Sequence, residues 1–216
     1  MQSPDSSPAS LIRTLVATVV VLLFGIWLFL TSTFQGQALT TESLRQVELN
    51  ESPKKIPALV VVDSTNQELE IAKLSSGKRV LIIDFIYTRC QTVCLSLGSV
   101  FQVLQAKIIE LGLEDQIGLV SISFDPTHDD AQALQRYEKR LQMQPKIWRA
   151  YSLKNPNDRQ SLLDAFGIMV IPAPLDEFEH NAALHIVRGE YLLRIFPLDS
   201  SEQALLQAVA LGKYKN

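Results

Sequence analysis

The two cysteines of this 216-residue chain, Cys90 and Cys94, stand four residues apart. They directly follow the apolar run Val80-Leu-Ile-Ile-Asp-Phe-Ile-Tyr87, which reads as a buried strand. A strand of this kind feeding a helix leaves both sulfurs near the first helical turn. Unpaired N–H groups and the positive end of the helix dipole there favour thiolate over thiol. Thiolate is the form that binds soft metals and attacks disulfides. Two plainer roles compete: cysteines that only pack, because Cys is among the most buried residue types, and a structural disulfide. So short a loop would gain little chain entropy from such a bridge.

The elements around the pair follow from apolar spacing. After Cys94, Leu97, Phe101, Leu104, Ile108 and Leu111 recur at helical intervals and Gly112 supplies a stop. Ile117 to Phe124 reads as a second buried strand, and Thr127-His-Asp-Asp130 has the spacing of a capping box ahead of a helix carrying Leu134, Tyr137 and Leu141. Ile147 to Leu153 reads as a short strand. Asn155-Pro156 opens a helix through Leu162, Leu163 and Phe166, which Gly167 closes. Ala182 to Val187 and Tyr191 to Phe196 make a hairpin around Arg188-Gly189-Glu190, and Ser200-Ser-Glu-Gln203 caps a last helix with Leu205, Leu206 and Val209. Upstream, Ala58 to Val62 is a strand and Gly77-Lys-Arg a turn. The order βαβα…ββα implies an α/β fold, a mixed sheet with helices on both faces.

Composition narrows the function. The chain is 47% hydrophobic and 20% charged with net charge −3, and no Lys/Arg cluster is interleaved with aromatics, so nucleic acid is excluded as a partner. From Thr14 to Thr41 no residue is charged, and Leu15 to Leu30 is almost wholly apolar, with Phe24, Trp27 and Phe29 toward its far end. Extended to Phe34, this gives about the 20 residues that cross a hydrocarbon core. A cleaved signal peptide is the alternative, with Gly36-Gln37-Ala38 as a weak cleavage site. Either way the remainder is exported, with a modest bias from Arg13 toward an inside amino terminus. The expected organisation is a tail and membrane anchor over 1–34, a polar linker over 35–56 and one folded domain over 57–216.

Asp84-Phe-Ile-Tyr-Thr-Arg-Cys-Gln-Thr-Val-Cys94, Ser123-Phe-Asp-Pro126 and Glu179-His-Asn-Ala-Ala183 together resemble the Sco/SenC family of thioredoxin-fold copper proteins. The similarity runs over most of Pro57 to Leu211. It implies a thioredoxin-like mixed sheet flanked by helices, behind an N-terminal transmembrane helix. It also implies copper held by Cys90, Cys94 and His180, and delivery of that copper to the dinuclear centre of cytochrome c oxidase subunit II or another copper acceptor. The implied location is the inner membrane, single-pass, with the C-terminal domain on the periplasmic side. Gln91 and Leu95 stand where the family usually has proline, and Glu179 where it has aspartate.

Two thiolates and one imidazole form a soft set suited to Cu(I), and a fourth donor would help hold Cu(II), whereas zinc prefers four ligands. On one regular strand, positions 180 and 185 would face opposite sides, so one of the two histidines serves. The resemblance selects His180, at the strand's edge, and leaves His185 to the core. His128 is a reserve candidate in the loop after Asp125-Pro126. Asp125 either orients a ligand or caps the next helix. Asp84 and Arg89 divide between site electrostatics and loop support. The competing function is thiol–disulfide exchange by Cys90 and Cys94 on exported partners, in which His180 is dispensable. A third class is a membrane-tethered interaction domain with a structural bridge.

Overall fold

All seven residues of the run Val80–Ile86 are buried, the mark of a strand covered on both faces. The computed structural model describes residues 8–32, 41–75, 79–90, 93–174 and 177–213; the side chains of Val93, Cys94 and Leu95 lie outside that description, as do Phe34, Gly36 to Ala38, Gly77, Lys78 and Gln91. The chain divides into two compact units, Met1–Glu48 and Leu49–Asn216.

In the first unit, helix α1 (Pro8–Ser32) contains Leu11–Ser32, 22 residues of mean hydropathy 2.5. At about 1.5 Å per residue it is long enough to cross a hydrocarbon core, and it is a candidate membrane anchor. Part of the segment read as a polar linker is helical: α2 spans Thr41–Glu51, and Leu49 near its end is fully buried.

The second unit is built on an eight-stranded mixed sheet. Its strands are β1 (Lys54–Lys55), β2 (Val60–Asp63), β3 (Glu68–Glu70), β4 (Val80–Ile86), β5 (Ile117–Ser123), β6 (Trp148–Leu153), β9 (Ala183–Arg188) and β10 (Tyr191–Pro197), in the spatial order β1-β10-β9-β4-β5-β6-β2-β3. The central trio β4-β5-β6 is parallel, with Val80 opposite Ile117 and Ile86 opposite Ser123; β9 and β2 flank it antiparallel. Two strands absent from the sequence reading, β7 (Val170–Ala173) and β8 (Glu177–His180), form a separate antiparallel hairpin.

Helices α4 (Val93–Glu110) and α5 (Ala131–Arg140) connect the parallel trio in one direction, so right-handed crossovers put both on one face. A bond from Gln102 Nε2 to the Leu141 carbonyl ties them (3.1 Å). The last helix, α7 (Ser201–Lys213), joins that face through the Lys107–Glu202 ion pair. On the other face α6 (Arg159–Phe166) sets Phe166 against Phe85, with ring centroids 4.8 Å apart. Gly167 ends α6 at φ +61°, in the left-handed region that suits glycine. A short α3 (Ile71–Leu74) follows β3.

One cap expectation is corrected. The α5 N-cap is Asp130, whose side chain accepts from Ala133 N, while Thr127 turns its hydroxyl to Asp125. Thr127 loses the cap because α5 starts only at Ala131, where the Asp130 carboxylate is in place to accept. Ser200 ends a 3₁₀ turn and stands immediately before α7, the position at which the sequence sets its cap, and its hydroxyl donates to Asp199.

Candidate metal centre

Strand β4 delivers its chain into the loop Tyr87–Cys90, and contacts from three directions hold that loop. Thr88 donates its N–H (2.9 Å) and its hydroxyl (2.6 Å) to the Asp129 carboxylate, which also accepts from the Ser123 hydroxyl. Burial pushes the Asp129 pKa up, against the pull of the Ser123 and Thr88 bonds, and the charge of Asp125 adds to the rise. Arg89 reaches Asp125 at 3.0 Å. Cys90 closes the loop: its N–H donates to the Tyr87 carbonyl (3.1 Å) and its residue surface is only 2% exposed. Cys94 follows in the first turn of α4, where the sequence reading placed it, with its side chain outside the described residues.

His180 is the last residue of β8. Alternation along that strand puts Phe178 and His180 on one face, and both meet the same two rings. Phe178 lies 5.4 Å from Tyr87 and 5.9 Å from Phe124, and His180 lies 6.4 Å and 5.3 Å from them. The Arg159 guanidinium covers this cluster, 4.6 Å from the Phe178 ring centroid. The pKa of His180 is lowered by burial, partly offset by its bond to Asn181 and by the electrostatic influence of Cys90. His180 Nδ1 lies 3.2 Å from the Asn181 carbonyl. A carbonyl can only accept, so the proton is assigned to Nδ1 and the lone pair to Nε2. A neutral imidazole fixed by a carbonyl on one nitrogen is the arrangement in which the other nitrogen ligates metal.

His180 is thus brought against the loop that carries Cys90, its ring 6.4 Å from that of Tyr87, whose carbonyl accepts the Cys90 N–H. Counting parity between His180 and His185 does not apply, because β8 and β9 belong to different sheets with Asn181 and Ala182 between them. His185 is fully buried, its ring nitrogens 3.3 Å from the Ile83 carbonyl and 3.1 Å from that of Phe166. It ties β4 to α6. His128 is turned to Asp125, with Nδ1 2.9 Å from one carboxylate oxygen and 3.2 Å from Arg89. Asp125 caps no helix through its side chain: it accepts from Arg89, Thr127 and His128, and these bonds outweigh burial to hold its pKa below the ordinary value. Arg89 therefore supports the loop. Among the described residues no group of three or more His, Cys, Asp or Glu side chains is arranged to hold a metal ion; Cys94, whose side chain lies outside them, could complete a set with Cys90 and His180. The two sulfurs and Nε2 would make a soft three-coordinate set that fits Cu(I).

Tyr87, Asp129, Phe178 and Arg159 were missed in the sequence. The alternation Glu177-Phe178-Glu179-His180 was the one signal that could have exposed β8.

Comparison with solved structures places the fold. A SCO1/SenC family lipoprotein from Bacillus anthracis str. Ames superposes with TM-score 0.66 at 18% identity, over 75% of this chain and 98% of that one. BsSco, a member of the Sco family of cytochrome c oxidase assembly proteins, gives 0.65 at 16%, over 76% and 96%. Yeast Sco1 with copper bound gives 0.59 at 15%, over 76% and 91%. At these identities the likeness establishes the thioredoxin-like Sco fold. Among curated proteins none matches the chain. The model of the SCO1/SenC family matches residues 50–210, covering the cysteine loop, the β7–β8 hairpin and the sheet between them, and the chain belongs to that family.

Proposed function

We propose that this protein is a membrane-tethered copper-binding protein that delivers copper to, or prepares, the dinuclear copper site of cytochrome c oxidase, with Cys90, Cys94 and His180 as the ligands. The observation that carries the reading is His180, with Nδ1 at the Asn181 carbonyl, packed against the Tyr87 ring of the loop that holds Cys90 and leads to Cys94. Membership of the family, the copper bound in yeast Sco1 and the oxidase-assembly role of BsSco's family support it. Residues 1–34 anchor the chain as a single span, and the folded unit works on the periplasmic side, where it meets subunit II or another copper acceptor. A buried Cys90 shields one sulfur from bulk solvent, while half-buried His180 leaves the imidazole side open to ligand exchange with that acceptor.

The test is Cu(I) titration of the reduced full chain in detergent against a competing chelator. His180→Ala weakens binding by at least roughly 10- to 100-fold, the range seen when a ligand's support alone is lost. Equal binding by wild type and variant removes His180 from the site and overturns the reading.

The disulfide switch of BsSco favours a second reading, thiol–disulfide exchange. One thiolate attacks a partner's disulfide to give a mixed disulfide. The other cysteine then displaces the partner's sulfur, so the partner leaves as a dithiol with two electrons and Cys90 and Cys94 are left oxidised. Exchange that persists in metal-free protein and in His180→Ala supports this role; a pair that cannot cycle rejects it.

A further inference from the structure

His180 sits on a two-stranded hairpin outside the main sheet, and such a hairpin is marginally stable by itself. Its position is therefore set by what grips it, and two grips bracket the histidine. One residue after it, Asn181 donates its side-chain amide to the Gly167 carbonyl (3.2 Å) and accepts the Met169 N–H (2.7 Å), tying the base of the hairpin to the end of α6. Two residues before it, the Tyr87 hydroxyl donates to the Phe178 carbonyl (3.1 Å) and accepts the Phe178 N–H (3.2 Å).

The second grip follows from ladder geometry. In an antiparallel pair the N–H and C=O of one residue point to the same side. Those of Phe178 go to Tyr87, so they point away from β7, where the opposing residue is Pro172, which has no N–H to offer. A phenol hydroxyl thus stands where a third strand would otherwise bond. The same residue holds the other half of the site, because the Tyr87 carbonyl accepts the Cys90 N–H. One residue, 1% exposed and packed on Phe124 and Phe178, spans from the thiol loop to the imidazole hairpin.

We infer that Tyr87 is the positioning residue of the metal centre, its hydroxyl setting the separation of His180 from Cys90 through the Phe178 peptide. The inference rests on the copper reading above and deepens it. Tyr87 touches no metal; it acts through His180.

The test is Tyr87→Phe in the full chain in detergent, alone and combined with His180→Ala. Tyr87→Phe weakens Cu(I) binding by about tenfold, the lower end of the range for groups that orient a ligand. In the His180→Ala background it produces no further loss, because the residue it positions is gone. Unchanged affinity in Tyr87→Phe, with His180→Ala weakened, overturns the inference and leaves the copper reading intact. So does an equal loss in both backgrounds, which would mark a general structural effect. A second readout needs no metal: the Phe178 amide is protected from hydrogen exchange in wild type and exchanges at least about tenfold faster in Tyr87→Phe. If His180→Ala binds copper as wild type does, the copper reading falls, and amide exchange alone decides whether Tyr87 holds the hairpin. A wild-type Phe178 amide that exchanges like an exposed one overturns that too.

Discussion

Asp84 lies in the middle of the strand that leads to Cys90, and replacing it with asparagine tests how the core tolerates charge. The residue is fully buried, and neither carboxylate oxygen has a hydrogen-bond partner among the described residues. Its cross-strand neighbour Ser121 accepts the Trp148 indole N–H at 3.0 Å. The Ser121 hydroxyl lies near enough to pull the Asp84 pKa down slightly without meeting bonding geometry. Burial dominates and pushes the carboxyl from an ordinary 3.8 up to about 7. Between those values the unfolded chain has released the proton while the folded one keeps it, so stability falls as pH rises and levels off above about 7. At ~1.36 kcal/mol per pH unit, the interval from 3.8 to about 7 sets a ceiling of ~4 kcal/mol on that loss. Asp84→Asn cannot ionise and does not show it. The assay is denaturant unfolding from pH 4 to pH 8, followed by fluorescence of buried Trp148, for both proteins. Subtraction cancels every other titrating group. The stability difference should move in favour of Asp84→Asn by a few kcal/mol across that range, most of it below pH 7. Parallel curves would refute the reasoning, because they would mean that the carboxylate is solvated or paired in the folded state.

Asp129→Ala leaves the Thr88 N–H and two hydroxyls without their acceptor at a buried position, and we expect a loss of about 2–4 kcal/mol in denaturant unfolding, part of it recovered by Asp129→Asn. A loss below about 0.5 kcal/mol would mean that the loop is held elsewhere. Gly118→Ala places a Cβ 2.9 Å from Leu81 Cδ2 and 3.1 Å from the Arg79 guanidinium, and overpacking of this kind destabilises by about 1–3 kcal/mol. An unchanged midpoint would show that Leu81 and Arg79 yield freely.

The parallel trio and its helices were legible because their residues carry strong local signals. Val80–Ile86 and Ile117–Ser123 are unbroken apolar runs, and both prove to be central strands. Asn155-Pro156 and Gly167 bracket a helix by backbone chemistry that needs no tertiary context. The hairpin β7–β8 was not legible: its four-residue strands include Pro172 and two glutamates, and side-chain contacts from elsewhere hold it. Thr127 shows a subtler failure. The capping-box spacing was present, but the helix began after Asp130, and three residues of register separate a cap from a loop bond.

The same division runs through the site. Cysteine at a strand-to-helix junction announces itself by residue type and place, so Cys90 and Cys94 could be singled out at once. His180 could not, because nothing in its neighbourhood of the chain distinguishes a ligand from a solvated loop residue; only resemblance selected it. What determines whether its imidazole reaches Cys90 is a hydroxyl 91 residues upstream of Phe178, bonded to one peptide. Tyrosine in an apolar run is ordinary core composition, and its hydroxyl acquires meaning only when a strand edge is set against it. Asp129 likewise looked like one acid among several, yet it holds the residue two before Cys90. Both groups engage through hydrogen bonds to other parts of the protein, the Tyr87 hydroxyl to the Phe178 peptide and the Asp129 carboxylate to Thr88. For the copper site proposed above, donors held in this way lower the ordering cost of binding, the condition under which three donors hold a soft ion and still release it by exchange.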